Sequence, residues 1–295
     1  MKRFLFVLFT IIPFFCFSEE DWAWWNKLHG WQSGMPSWRT FLTISPGFLG
    51  PNALPVPEMK KGVLSAKKEL ELGTGLHFMN GDNTQDVSGR FYYPFADAKI
   101  AIEIHGVMLE RYAMSDAIRD QRTARDKDGR GMAIGDLYFS TLLQLFKDRK
   151  FPDTVLRMAC KTASGGRLDA ARYADSPGYY IDLNFSKKMG AANRNIQWEP
   201  FAMLGFYSWQ TNDDMNLQND ALLYGAGIDA QFKQFSVSNS LSGYHGYKND
   251  GDRPMVYTFD FQKEIEHCTF RFQYLHGLHD WMYRTVKLSL IWKWK

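Results

Sequence analysis

Ionisable side chains recur at alternate positions through most of this sequence, and that spacing limits the chemistry they can perform. Glu69, Glu71, His77, Glu103, His105, Arg157, Lys161, Asp182, Asn184, Asp229, Gln231, Asp260, Arg271 and Lys287 all fall on the polar parity of runs whose other positions are apolar. Fixed charges of both signs on one face can fill an enclosed space with ion pairs, or set a field across a channel. His77 and His105 sit beside acids, which suggests a proton or metal site. They lack metal-ligand spacing, so ordinary hydrogen bonding is expected, with no metal and no cofactor. His276, which shares parity with Phe270, Phe272 and Tyr274, could act on lipid only with a nucleophile beside it. The outward positions on the adjoining runs are Met255, Tyr257, Phe259, Val286 and Leu288, and none is a serine. No catalytic residue is assigned, and His276 reads as part of an aromatic girdle.

Two loop patterns carry weaker signals. Asp126-Lys127-Asp128-Gly129-Arg130-Gly131 begins like a calcium loop but lacks the rest of the series and its closing glutamate. Asn249-Asp250-Gly251-Asp252 reads first as a turn. Arg111, Arg119, Arg122, Arg125, Lys127 and Arg130 stand among Asp116, Asp120, Asp126 and Asp128. Those cations could hold lipopolysaccharide phosphates through bidentate contacts, although a solvated mixed-charge loop is the simpler expectation.

The elements that must position these groups are strands. Glu69-Leu70-Glu71-Leu72, Lys99-Ile100-Ala101-Ile102-Glu103-Ile104-His105, Tyr180-Ile181-Asp182-Leu183-Asn184-Phe185 and Val256-Tyr257-Thr258-Phe259-Asp260-Phe261 alternate strictly, which helical spacing cannot produce. About twelve such runs are expected, at 65–79, 84–94, 98–112, 135–147, 153–163, 178–187, 195–210, 220–233, 234–247, 254–264, 266–278 and 281–294. The parity of 195–210 stays open, because Phe201, Met203, Tyr207 and Trp209 compete with Trp198, Leu204 and Phe206 for the outer face. Long connections at 113–134, 164–177 and 211–219 follow odd runs, while short ones follow even runs. An even count would place both ends of the chain on the short-turn side.

A soluble sandwich also alternates, but its inner face must be dry. The ionisable residues above are too many for a dry core. A closed antiparallel up-and-down transmembrane barrel resolves the conflict, and also reconciles 16% aromatic residues with a mean hydropathy of −0.36. Twelve strands fall between barrels filled by side chains and barrels with an open aqueous pore. Either a narrow passage or a plugged interior is therefore expected.

The N-terminus agrees with export. Met1-Lys2-Arg3, the apolar run Phe4 to Phe15 and the small residues of Cys16-Phe17-Ser18 form a signal-peptide pattern over 1–18, to be cleaved before Glu19. Cys16 follows two phenylalanines, against a lipid-attachment site, and Cys160 and Cys268 read as packing residues. Loss of Lys2 and Arg3 lowers the formal charge from +3 to about +1, which gives no nucleic-acid signature. Residues 19–62 are rich in tryptophan and proline. They are expected to plug the barrel, sit on its rim or lie in the membrane interface, with the barrel itself spanning 63–295.

The closing run Val286 to Trp294 resembles the last strand of bacterial outer-membrane proteins, which the insertion machinery reads; Lys295 departs from the usual aromatic end. The block from Gly135-Asp136-Leu137-Tyr138 through Arg157, with Lys161 to Arg167 and Ala171 to Gly178, resembles uncharacterised barrels of Bacteroidetes-type bacteria and barrels linked to uptake of aromatic compounds. These resemblances imply the cell outer membrane as location, with outer-membrane lipid and lipopolysaccharide as surroundings. They also imply passage of a small solute, with a surface enzyme acting on lipids or a structural barrel as the alternatives.

Overall fold

The computed structural model describes residues 22–148, 150–189 and 196–295. The expected signal peptide therefore lies outside the described residues. The chain divides into two compact units, one ending at Met35 and one running from Pro36 to Lys295. The first contains α1 (Ala23–His29), which stops where Gly30 turns left-handed and donates its N–H to the Asn26 carbonyl.

The second unit is built on β1 (Lys68–Met79), β2 (Asp82–Phe95), β3 (Ile100–Met114), β4 (Arg130–Ala133), β5 (Leu137–Phe146), β6 (Asp153–Lys161), β7 (Gly178–Ser186), β8 (Gln197–Asp213), β9 (Asn216–Gln231), β10 (Phe235–Gly246), β11 (Met255–Ile265), β12 (Cys268–His279) and β13 (Arg284–Trp294), with α2 (Asp116–Gln121) between β3 and β4. Each strand pairs antiparallel with its neighbours in sequence, except that β4 is a short addition to Glu110–Ala113 of β3, beyond the point where β5 pairs. The ring closes where β1 meets β13, from Lys68 opposite Trp294 to Phe78 opposite Arg284. The barrel thus has twelve strands and no free edge.

Alternation decides which face most strand residues take. Leu70, Leu72, Leu76 and Phe78 of β1 point outward, as do Leu288, Leu290 and Trp292 of β13, whereas His77 and Ile291 are buried inside. In β8 the outward set is Trp198, Leu204 and Phe206, and Phe201, Met203, Tyr207 and Trp209 turn inward. Tyr207 and Trp209 join Tyr138, Tyr180 and Tyr244 in a column of rings along the inner wall from β5 to β10, with centroids 5.2–6.5 Å apart. Burial of those rings settles the parity that the sequence left open.

Most connections follow the expected asymmetry. Residues 115–136 and 162–177 are long and lie at the end of the barrel where odd-numbered runs finish, while turns such as 266–267 occupy the other end. One expectation fails: 211–219 is not a long loop. β8 and β9 continue as a ladder until Asp213 opposes Asn216 across a tight turn, and the Thr211 hydroxyl donates to the Asn216 carbonyl. The β1–β2 turn needs Gly81, whose φ is +83° and whose missing Cβ would lie 2.6 Å from the Ser115 hydroxyl.

An apolar outside over a ring of saturated backbone bonds makes a specific claim about stability. Leu72 is 52% exposed on the outer belt. Leu72→Arg is expected to lower folding stability in lipid vesicles by about 2–4 kcal/mol if the site lies near the bilayer midplane. Urea titration measures this, and an unchanged midpoint would place the belt in water.

Candidate functional site

The interior is occupied by the chain's own residues 44–65, which run from the long-loop end to the short-turn end before entering β1. At the long-loop end, Trp209 donates its indole N–H to the Ile44 carbonyl (3.0 Å), Gly50 N–H bonds the Ala171 carbonyl (2.9 Å), and Trp281 donates to the Pro51 carbonyl (2.9 Å). Tyr244 then donates to the Leu54 carbonyl (2.8 Å). Towards the short-turn end, Lys60 N–H bonds Asn184, Gly62 N–H bonds Ser186, and Tyr92 donates to the Ser65 carbonyl. Pro51, Pro55 and Pro57 have no N–H, and residues 51–53 turn, so the segment cannot form a continuous ladder with the wall. Wall side chains satisfy its buried polar groups instead. At Gly62 the approach is closest, since a Cβ there would lie 2.0 Å from the Asp153 carbonyl oxygen.

Charges pin the same path. The Lys60 ammonium meets Glu103 at 2.9 Å, Lys61 meets Asp229 at 2.6 Å, and Arg271 meets Glu58 at 2.5 Å. Glu58 lies within the barrel but faces open cavity.

All twelve sequence-selected positions face the interior. Arg90, which the sequence reading did not single out, gathers Glu69, Glu71 and Glu103 at 2.8–3.2 Å, and Arg271 bridges Asp260 and Glu58. Arg157 is buried against Asp182 at 2.9 Å and stacks over Tyr180, while Asn184 bonds Asp182. His77 is clamped between Asp86 (2.6 Å) and Thr285 (2.8 Å), whereas His105 stacks on Tyr138 with centroids 4.8 Å apart. Asp229 holds Lys61, and Lys161 lies near the long loops with Asp136 at 2.6 Å. Burial, opposed by the Lys161 charge, leaves the Asp136 carboxyl above its ordinary value. Among the described residues, no group of three or more His, Cys, Asp or Glu side chains could hold a metal.

The sequence reading missed the network at the long-loop end. Arg172 is fully buried against Asp82 (2.7 Å) and Glu110 (2.8 Å), Arg122 also meets Asp82 (2.7 Å), and Asn52 bonds both Asp86 and Glu110. A cation in the long 162–177 loop facing acids on β2 and β3 was the available signal. Arg122 and Arg125 thus turn inward, the latter over Trp38 with its guanidinium 5.1 Å from the ring, while Arg119 pairs with Asp116 and Asp120. Arg111, Lys127 and Arg130 stay exposed. His276 lies on the outer face opposite Tyr257 and Arg284, with its ring parallel to Tyr274.

The segment packs towards the aromatic wall and leaves space elsewhere. A cavity of about 410 Å³ lies between it and β9–β13, and its lining extends from Trp281 near the long loops to Lys293 near the short turns. A second, of about 180 Å³, lies towards β1–β3 and is lined by Gly73, Ser88, His105 and Tyr180. Arg271, Gln273 and Lys287 border both. A closed ring, a greasy belt and a charged interior with open space meet in one molecule. The fold is that of an outer-membrane β-barrel.

No protein-family model and no curated protein matches the sequence. Among solved structures, the chain is similar to an outer-membrane channel from Pseudomonas putida F1, with TM-score 0.49 and 14% identity over 82% of this chain and 97% of that one. It is also similar to the KdgM porin, with TM-score 0.45 and 7% identity over 76% and 99%, and to Omp33 of Acinetobacter baumannii, with 0.41 and 11% over 78% and 99%.

One outcome follows from the charge network. Arg172→Ala leaves Asp82 and Glu110 without their shared guanidinium, and a loss of about 3–5 kcal/mol is expected in urea unfolding.

Proposed function

We propose that the protein is an outer-membrane channel for a small solute, with its own residues 44–65 as a fixed partition that narrows the lumen to a side passage. The observation that supports this reading best is the 410 Å³ cavity beside the segment, whose lining spans most of the barrel's height. Twelve strands would otherwise enclose a wider lumen. The segment excludes bulk flow, and the space along β9–β13 admits a molecule small enough to move between the partition and the wall. The interior acids and bases act in this scheme chiefly as mutual partners: Glu69, Glu71 and Glu103 fix Arg90, and Asp182 fixes Arg157. Exposed Arg111, Lys127 and Arg130 are the positions suited to lipopolysaccharide phosphates, and the β13 pattern suits reading by the insertion machinery.

Bulk at Ser240, which lines the large cavity, provides the test. Purified wild-type protein in planar bilayers is expected to give small, resolved conductance steps, and Ser240→Trp is expected to remove most of that conductance while the barrel still folds. Lys60→Ala with Lys61→Ala loosens the partition and is expected to raise conductance and its noise. A silent wild type, with a silent double variant, would reject the channel.

A further inference from the structure

The large cavity has one wall unlike the rest of the interior. On β10, Ser238, Ser240 and Ser242 face inward at successive alternate positions, and Thr258 of β11 stands directly opposite Ser240. The three serines span about 13 Å along the strand. Among the described residues, none of these four hydroxyls has a hydrogen-bond partner, although the carboxamides of Gln262 and Gln273 nearby are tied to Asp260. Hydroxyls held in a row without partners, and open to a cavity, are donors and acceptors waiting for a ligand.

The charges around this wall are already committed. Asp229, next to Ser238 across the β9–β10 ladder, is held by Lys61, and Asp260, next to it across the β10–β11 ladder, is held by Arg271. An ionic solute would have to compete with these pairs, whereas an uncharged one leaves them intact. The opposite side of the cavity is the proline stretch around Pro55 and Pro57, with Trp281 at its upper end. The space therefore offers hydrogen bonding on one wall and apolar contact on the other, within a volume suited to a small ligand.

We infer that this wall is a binding subsite for a small, uncharged, polyhydroxylated solute of the sugar or polyol class. The inference deepens the channel reading and rests on it for the solute's passage, though not for its binding. Lys287 borders the cavity and acts on the Asp86 carboxylate only at longer range than an ion pair, which makes a sugar acid the rival ligand.

Binding and passage are tested separately. Saturation-transfer NMR on detergent-solubilised protein reads weak binding of methyl glucoside, with gluconate as the charged probe and benzyl alcohol as the apolar one. Methyl glucoside is expected to bind in preference to both. Combined Ser238→Ala, Ser240→Ala and Ser242→Ala is expected to weaken it about tenfold or more, because several neutral hydrogen bonds are removed together. Ser240→Thr, which keeps a hydroxyl, is expected to hold within about twofold on the same reasoning. Unchanged heat-modifiable gel mobility of the alanine variant confirms that its barrel is intact. Gluconate or benzyl alcohol binding better, or methyl glucoside binding untouched by the triple substitution, overturns the subsite. Proteoliposome swelling then reads passage: serine-dependent binding without swelling keeps the subsite and rejects the channel, while serine-independent swelling keeps the channel and rejects the subsite.

Discussion

The constraint on which this structure depends is that no backbone polar group can be left unpaired within hydrocarbon. It explains why β1 must find β13, because any other arrangement leaves two bare edges facing lipid. It explains the tight alternation as well, since a ladder fixed in register sends successive side chains to opposite faces, except at a bulge such as that at Met108, where the inward parity changes from Glu103 to Glu110. Once the ring has closed, its inner face is confined, and every charge drawn inside must be answered by another. The pairing of Arg90 with three glutamates, and of Arg172 with Asp82 and Glu110, is the local consequence of that closure.

Much of this was legible in the sequence because alternation is a local property. Glu69, Leu70, Glu71 and Leu72 declare their faces within four residues, and each landed on the side its parity required. Local reading failed where both faces carry the same chemistry. In β8, Trp198 and Phe206 meet lipid while Tyr207 and Trp209 meet other rings, and nothing in the strand itself separates greasy from aromatic-packed. The run Thr211-Asn212-Asp213-Asp214 was misread because turn-forming residues also finish a long strand that leaves the membrane.

The lumen segment illustrates a different limit. Prolines 51, 55 and 57 announce that the stretch is neither helix nor central strand, yet its position follows from partners far away in sequence. Lys60 and Lys61 find Glu103 and Asp229 only after the barrel has brought β3 and β9 around a common axis. For the same reason the chain does not remain on the short-turn side ahead of β1. Ile44 lies among the long connections at the opposite end, although β1 begins and β13 ends as an even strand count requires. The hydroxyl row on β10 was visible as alternating serines, but its significance depended on what the partition leaves uncovered.

The path of residues 44–65 also ties the inner thread to the seam of the cask. The thread continues directly into the first stave, and that stave is the one latched to the last. Any pull on the thread is therefore borne first by the β1–β13 seam, with the pegs of Lys60 and Lys61 on Glu103 and Asp229 sharing the load.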